Sequence, residues 1–142
     1  MNWIKENVTK LTNKYKTNNP FQLAEYLNMN VIEKPLGTIR GFYQYYRKNK
    51  FIYINSDLDK KLKRVVCAHE LGHAILHPKH NAVFLTFNTH CVKGKFEQQA
   101  NQFAIELLLP DNILSLYELS GITIKDIRVK EEIPEYYVEL KK

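Results

Sequence analysis

Residues 65–80 read VVCAHELGHAILHPKH and hold four of the five histidines in this chain of 142 residues. His69, His73 and His77 recur every four positions, a spacing that places side chains on one face of an α-helix. Apolar residues at helical spacing accompany them, and Pro78 ends the pattern because proline cannot continue a helix. The stretch therefore predicts a long helix whose apolar side carries the histidines.

The segment HELGH, residues 69–73, fits the H-E-x-x-H pattern. Two imidazoles one helical turn apart can converge on one Zn²⁺ and leave room for a third ligand and a water molecule. Glu70 is rotated by about 100° around the helix from His69, so it flanks the metal and can act as a general base. The alternative is a helix with exposed histidines, but the motif lies along the apolar stripe, where unpartnered polar groups are costly.

His77 repeats the four-residue spacing but is too far along the helix to bind the same metal. It lies roughly 9 Å along the axis from the midpoint of His69 and His73, whereas a zinc–nitrogen bond is about 2 Å long. We expect His77 to line the metal-binding pocket, to cap the helix, or to contact a metal-binding residue on the side that faces away from the metal. His80 follows Pro78 and stays an alternative ligand, since the chain could fold back there.

The third ligand is expected from a second helical pattern, KFEQQANQFAIELLLP, which offers two glutamates. Glu97 and Glu106 are nine positions apart, so they point to opposite sides of a helix. Glu97 shares its face with small residues that permit close helix packing, namely Ala100, Asn101 and Ala104. We therefore expect Glu97 to bind the metal and Glu106 to lie on the solvated surface. Asn101 is expected to hydrogen-bond a ligand imidazole.

The elements before the histidine helix follow from periodicity and turn signals. Helical spacing predicts an amphipathic helix over residues 2–16 and a short helix that begins at Pro20 behind an Asn19 cap. Aromatic and β-branched residues interrupted by the polar RKNK predict a hairpin that pairs residues 39–46 with 50–55.

The remaining boundaries are set by caps and prolines. Ser56 with an acidic residue three positions later predicts the start of the histidine helix. Residues 78–93 read as an irregular loop or an edge strand. The tail, 121–142, reads as two small helices that are split before Pro134 and packed on the rest. We expect residues 1–142 to form one small α+β domain with helices and a short antiparallel hairpin or sheet.

Composition narrows the classes of function. The net charge is +6, but the lysines are spread over the whole chain without a basic block, so direct nucleic-acid binding is not expected. No apolar run approaches the roughly 20 residues that a bilayer requires, and the N-terminus lacks the apolar block of a signal peptide. We therefore expect a cytoplasmic protein without membrane attachment, in which Cys67 is a small buried hydrophobe.

The two helical motifs together resemble a known family. HELGHAILH followed by FEQQANQFAIELLLP is similar to the ImmA/IrrE zinc metallopeptidases, which combine H-E-x-x-H with E-x-x-A-x-x-F-A-x-x-L-L-x-P on the next helix. The second pattern falls on Glu97, Ala100, Phe103, Ala104, Leu107, Leu108 and Pro110. The resemblance implies a small zincin-like domain in which His69, His73 and Glu97 bind zinc and Glu70 is the general base.

The resemblance also implies a substrate. Proteins of this kind are typically encoded by prophages or integrative elements and act on helix-turn-helix repressors. We therefore expect a zinc-dependent endopeptidase that cleaves such a repressor and relieves repression of a prophage or mobile element. The alternative is a zinc-stabilised anti-repressor that sequesters the repressor without cleaving it. Glu70 favours cleavage, because a structural zinc site needs no base and is usually closed by four protein ligands.

The expected mechanism requires two further features. An edge strand beside the cleft can hold the substrate backbone extended by strand addition, and FIYIN, residues 51–55, is the candidate. A side chain is also expected to stabilise the oxyanion. His77, His80, His90 and several tyrosines all remain open for that role.

Overall fold

A computed structural model describes residues 2–84 and 94–141 and confirms the predicted α+β class. The helices and strands follow each other in the order α1 Asn2–Tyr15, α2 Pro20–Tyr26, β1 Asn30–Lys34, β2 Gly41–Tyr46, β3 Asn49–Asn55, α3 Lys60–Leu76, β4 Ala82–Phe84, α4 Lys95–Leu108, α5 Asp111–Leu119, α6 Ile124–Lys130 and α7 Glu135–Glu139. Within the described ranges, no helix is long and apolar enough to cross a membrane.

The strands form one mixed sheet in the order β1-β3-β2-β4. β2 and β3 pair antiparallel as the predicted hairpin, β1 joins β3 in parallel, and β4 pairs antiparallel with β2. The prediction that residues 51–55 form an edge was therefore wrong, because β3 has a neighbour on each side. Ile52 and Ile54 of β3 are fully buried, which suits a central strand. β4 lies at the edge next to β2.

Helix α3 begins later than the sequence predicted. Its N-cap is Asp59, whose carboxylate accepts a hydrogen bond from the Leu62 amide at 2.9 Å, and Ser56 lies outside the helix. The side chain of Asn55 accepts a hydrogen bond from the Asp57 amide at 3.0 Å and so holds the preceding residues in a turn. Such local hydrogen bonds compete with helix formation, which explains the shift of the start by three residues.

Helix α3 is buried on all sides over its central section. Every residue from 65 to 74 is buried, and the helix packs against β2 and β3 and against α4. Cys67 lies in this section as a free, buried thiol, as predicted. Gly72 permits the close approach of α4, because a Cβ atom there would lie only 3.1 Å from the Ala100 backbone. Polar side chains in this stretch therefore need protein or ligand partners.

Glu106 contradicts the prediction that it is solvated. It is buried on the side of α4 that faces away from α3, and its carboxylate accepts a hydrogen bond from Lys141 Nζ at 2.8 Å. Lys5 of α1 lies 3.9 Å from the same carboxylate and also pairs with Asp111. The helical pattern placed Glu106 opposite Glu97 correctly, but that face is covered by α1 and by the C-terminal residues instead of solvent.

The tail forms the two expected small helices, α6 and α7, on either side of Pro134. α7 packs against α4 and α6. Tyr137 and Val138 of α7 are buried, as is Ile127 of α6. The packing of α7 on α4 brings C-terminal side chains next to the histidine helix.

Candidate metal centre

The structure brings three of the predicted site residues together where α3 and α4 cross. His69 Nε2 lies 3.1 Å from one carboxylate oxygen of Glu97, and His73 Nε2 lies 2.6 Å from the other. The two Nε2 atoms are 3.2 Å apart. Each of the three side chains offers a ligand atom, and these atoms all lie within 4.8 Å of one another. The two histidines are completely buried, whereas the Glu97 side chain is 26% exposed.

The cluster fits a divalent metal ion. Two imidazoles and one carboxylate form a donor set that catalytic zinc sites use, with the fourth position open. In a tetrahedral zinc site with bonds of about 2.0–2.1 Å, neighbouring ligand atoms lie about 3.3–3.4 Å apart. The observed separation of 3.2 Å between His69 Nε2 and His73 Nε2 is close to that value. The spacing of the imidazoles is therefore already suited to one shared ion.

The charges in the cluster favour the forms that bind metals. Burial alone would raise the pKa of Glu97, but its contacts with His69 and His73 outweigh burial and hold the pKa well below its usual range. Burial lowers the pKa of His73, against the opposing effect of Glu97, and so favours the neutral imidazole. A carboxylate and a neutral imidazole are the protonation states in which these groups ligate metals.

Glu70 lies beside the cluster as an orphaned carboxylate. It is fully buried, and neither of its oxygens has a hydrogen-bond partner among the residues that the structure describes. Burial, followed by the nearby charge of Glu97, raises its pKa well above the usual range. Buried polar atoms without partners are rare in folded proteins, and a catalytic role is one reason for which such a group is retained. The position of Glu70 therefore fits a group that exchanges a proton within the site.

Two residues contact the Nδ1 atoms of His69 and His73, the ring nitrogens that do not face Glu97. The Tyr137 hydroxyl lies 3.0 Å from His69 Nδ1, and His77 Nδ1 lies 3.4 Å from His73 Nδ1. Asn101, which the sequence predicts for this role, is buried, and within the described ranges its side-chain oxygen has no hydrogen-bond partner. No local pattern pointed to Tyr137, because it lies 68 residues from His69 along the chain. Its place at the site depends on how α7 packs.

The other histidines take different positions. His77 is the C-cap of α3, as predicted, and donates its backbone N–H to the His73 carbonyl, while its ring contacts His73 Nδ1. His80 is exposed, lies edge-on to Phe96 with ring centroids 4.9 Å apart, and is not part of the cluster. His90 falls outside the described residues.

Two crossed helices that join two histidines to a glutamate, over a small mixed sheet, form a site of the metallopeptidase type. The chain belongs to the Peptidase_M78 family, whose model, the IrrE N-terminal-like domain, matches residues 24–138. Membership of a peptidase family agrees with the candidate metal cluster of His69, His73 and Glu97.

Two relatives match over nearly the whole chain. The chain is 47% identical over 139 residues to the "Uncharacterized immunity region protein 2" of Bacillus phage phi105, a match that covers 97% of this chain and 88% of the relative. It is 29% identical over 142 residues to "Metallopeptidase ImmA" of Bacillus subtilis (strain 168), covering 97% of this chain and 83% of the relative.

Proposed function

We propose that this chain is a zinc-dependent endopeptidase that cleaves a helix-turn-helix repressor and so relieves repression of a prophage or mobile element. The observation that carries the proposal is the convergence of His69, His73 and Glu97 beside the unpartnered carboxylate of Glu70. A structural metal site would be closed by four protein ligands and would have no need of a buried base. The arrangement therefore favours hydrolysis over a purely structural role.

In this proposal His69 and His73 bind Zn²⁺ through their Nε2 atoms, and Glu97 binds through its carboxylate. The bound ion supplies Lewis-acid chemistry, which polarises a carbonyl and lowers the pKa of water. Zinc suits the donor set, because two imidazoles and a carboxylate are the ligands of known zinc peptidase sites. We further propose that residues 1–142 act as one metallopeptidase domain, with the tail packed on it.

Glu70 acts as the general base and then as the general acid. Its carboxylate takes a proton from the attacking water and delivers it to the nitrogen of the leaving amine. An ordinary glutamate is too weak a base for this task at neutral pH. Burial, and next the charge of Glu97, raise the pKa of Glu70, and a higher pKa makes its carboxylate a stronger base than that of an exposed glutamate.

The substrate backbone is held extended at the edge of the sheet. β4 occupies that edge and contacts α3, which carries the histidines. The free edge of a strand can bind a peptide by main-chain hydrogen bonds, without demanding a particular sequence. β4 therefore replaces β3 as the proposed docking strand.

The choice of substrate rests on the family and on a phage relative. Family members of the type that this chain resembles act on helix-turn-helix repressors, and the phi105 relative carries the words "immunity region" in its name. We accordingly propose that the partner is the repressor encoded beside this chain, without a nucleic acid as a direct partner.

Cleavage of that repressor tests the proposal. The purified chain is incubated with the repressor, with and without a chelator, and the products are identified by mass spectrometry. We expect defined fragments from the original chain and none when the chelator is present. Glu70→Gln should keep its zinc but yield no fragments, whereas Glu118→Gln, which changes an exposed glutamate, should cleave normally.

Two results would contradict the proposal. Fragments that persist with the chelator or with Glu70→Gln would show that the site does not perform the cleavage. A stable complex with an intact repressor, under conditions in which zinc is bound, would replace the endopeptidase by the sequestering anti-repressor.

A further inference from the structure

His77 connects the metal cluster to a residue on the neighbouring helix. Its Nδ1 lies 3.4 Å from His73 Nδ1, and its Nε2 lies 2.7 Å from the side-chain oxygen of Gln99 on α4. His77 is 7% exposed and Gln99 is 8% exposed, so both side chains are largely shielded from solvent. His73, His77 and Gln99 thus form a continuous chain of polar contacts that ends at the cluster.

Aromatic packing holds the imidazole of His77 in place. The Phe96 ring lies against it with a centroid distance of 4.1 Å and an angle of 25° between the planes. Phe96, Glu97 and Gln99 all belong to the first turns of α4, so one short segment contacts both the cluster and the residue behind it. The ring of His77 is fixed on one face by packing and at its Nε2 by a hydrogen bond.

The pattern of hydrogen-bond donors and acceptors along His73, His77 and Gln99 follows from the chemistry of the Gln99 amide and of a neutral imidazole. The oxygen of the Gln99 amide can only accept, so His77 Nε2 donates its hydrogen to it. A neutral imidazole has one N–H, which makes His77 Nδ1 an acceptor and His73 Nδ1 the donor to it. His73 Nε2 then carries the lone pair, which is the form that a metal ligand requires.

We propose that His77 and Gln99 form a positioning relay that fixes the tautomer and the ring orientation of His73 for metal binding. The inference rests on the proposed metal site, since it assigns to these residues a role toward a ligand of that site. His77 and Gln99 do not touch the substrate or the metal themselves, so they are positioning residues. Hydrogen bonds behind metal-binding histidines tune affinity in this way.

Metal affinity tests the relay directly. Zn²⁺ binding is measured by competition with a chromophoric chelator, and the visible spectrum of the Co²⁺-loaded protein reports the ligand geometry. Gln99→Leu removes the acceptor at nearly constant volume, whereas Gln99→Glu keeps an oxygen that can only accept. The same two changes at Gln98, an exposed neighbour on α4, are the matched controls for helix stability and for added charge.

The relay predicts opposite outcomes for the two Gln99 variants. Gln99→Leu should weaken Zn²⁺ binding by about 10–100-fold and alter the Co²⁺ spectrum. Gln99→Glu should bind Zn²⁺ at least as tightly as Gln98→Glu. His77→Phe, which keeps the stacking on Phe96 but loses both nitrogens, should match Gln99→Leu. His77→Asn should recover part of the loss, because its amide oxygen can accept from His73.

Several results would overturn the relay. Gln99→Leu with unchanged Zn²⁺ affinity and an unchanged Co²⁺ spectrum would show that the contact has no role in ligation. If Gln99→Glu lost as much Zn²⁺ affinity as Gln99→Leu, the Gln99 amide would have to donate a hydrogen bond instead of accepting one. If Gln99→Leu fails to fold, the comparison of Gln99→Glu with Gln98→Glu decides alone.

The failure of the relay can be separated from the failure of the proposed function. If Glu97→Ala abolishes Zn²⁺ binding while Gln99→Leu leaves it unchanged, only the relay is wrong. If the unaltered chain binds no Zn²⁺, the proposed metal site is wrong, and the relay is overturned with it.

Discussion

Replacing Gly72 by alanine tests whether the close crossing of α3 and α4 holds the cluster together. A Cβ atom at Gly72 would lie 3.1 Å from Ala100 Cα, from the Ala100 carbonyl oxygen and from Phe103 Cβ. Ordinary carbon–carbon contacts are about 3.5–4.0 Å, so the helices must separate by a few tenths of an ångström. Rotating a side chain cannot relieve the contact, because all three atoms lie on or next to the α4 backbone.

Two opposing effects determine how much Gly72→Ala changes the free energy of unfolding. Overpacking of this kind costs about 1–3 kcal/mol, whereas alanine is favoured over glycine inside a helix by about 1 kcal/mol. We therefore expect a net loss of about 1 kcal/mol in the free energy of unfolding, or about 3 °C in Tm for a chain of this size. Because α4 carries Glu97 and α3 carries the histidines, Zn²⁺ affinity should also fall about tenfold, as loosened sites do.

Urea unfolding of the metal-free protein and chelator competition measure the two effects. Gly94→Ala is the control for the added methyl group, since among the described residues a Cβ atom there meets Glu97 Cγ at an ordinary 3.9 Å. It should leave Zn²⁺ affinity unchanged. A Gly72→Ala variant that is more stable than the original chain by the full helix preference of alanine, and that binds Zn²⁺ equally well, would contradict the expected strain where α3 and α4 cross.

Three further substitutions test other parts of the site and the fold. Glu97→Gln should lower Zn²⁺ affinity at least about 100-fold by removing a charged ligand, with Glu118→Gln as the exposed control, and equal affinities would contradict its role. Tyr137→Phe removes only the hydroxyl that contacts His69 Nδ1, so calorimetry should show about tenfold weaker Zn²⁺ binding. An unchanged affinity would argue against a role for that contact. Lys141→Met leaves the buried Glu106 carboxylate without its nearest cation, so urea unfolding should show a free energy of unfolding lower by about 1–3 kcal/mol. A decrease below about 0.5 kcal/mol would show that Lys5 compensates.

Local periodicity was enough to find the residues of the cluster. The four-residue spacing fixed the shared face of His69 and His73, and the small residues that follow Glu97 indicated the face of α4 that packs closely. The structure places these three side chains together, as the pattern indicated. The distance along the helix axis also predicted, without any knowledge of the fold, that His77 is too far from His69 and His73 to bind the same metal.

Partners that are distant in the chain could not be predicted. The contact of Tyr137 with His69 and the burial of Glu106 by Lys141 depend on where the tail packs, which no local pattern encodes. The central place of β3 depends on β1, which joins it in parallel. The helical spacing predicts Asn101 on the same face as Glu97, but helix geometry alone does not determine which side chain reaches an imidazole.

The location of bound zinc tests the central claim most directly. Crystals grown with Zn²⁺ and measured at the zinc absorption edge should show one strong anomalous peak where α3 and α4 cross. We predict that it lies about 2.0–2.2 Å from His69 Nε2, His73 Nε2 and a Glu97 carboxylate oxygen. The absence of a peak at full zinc loading, or a peak that these three residues do not contact, would contradict the account.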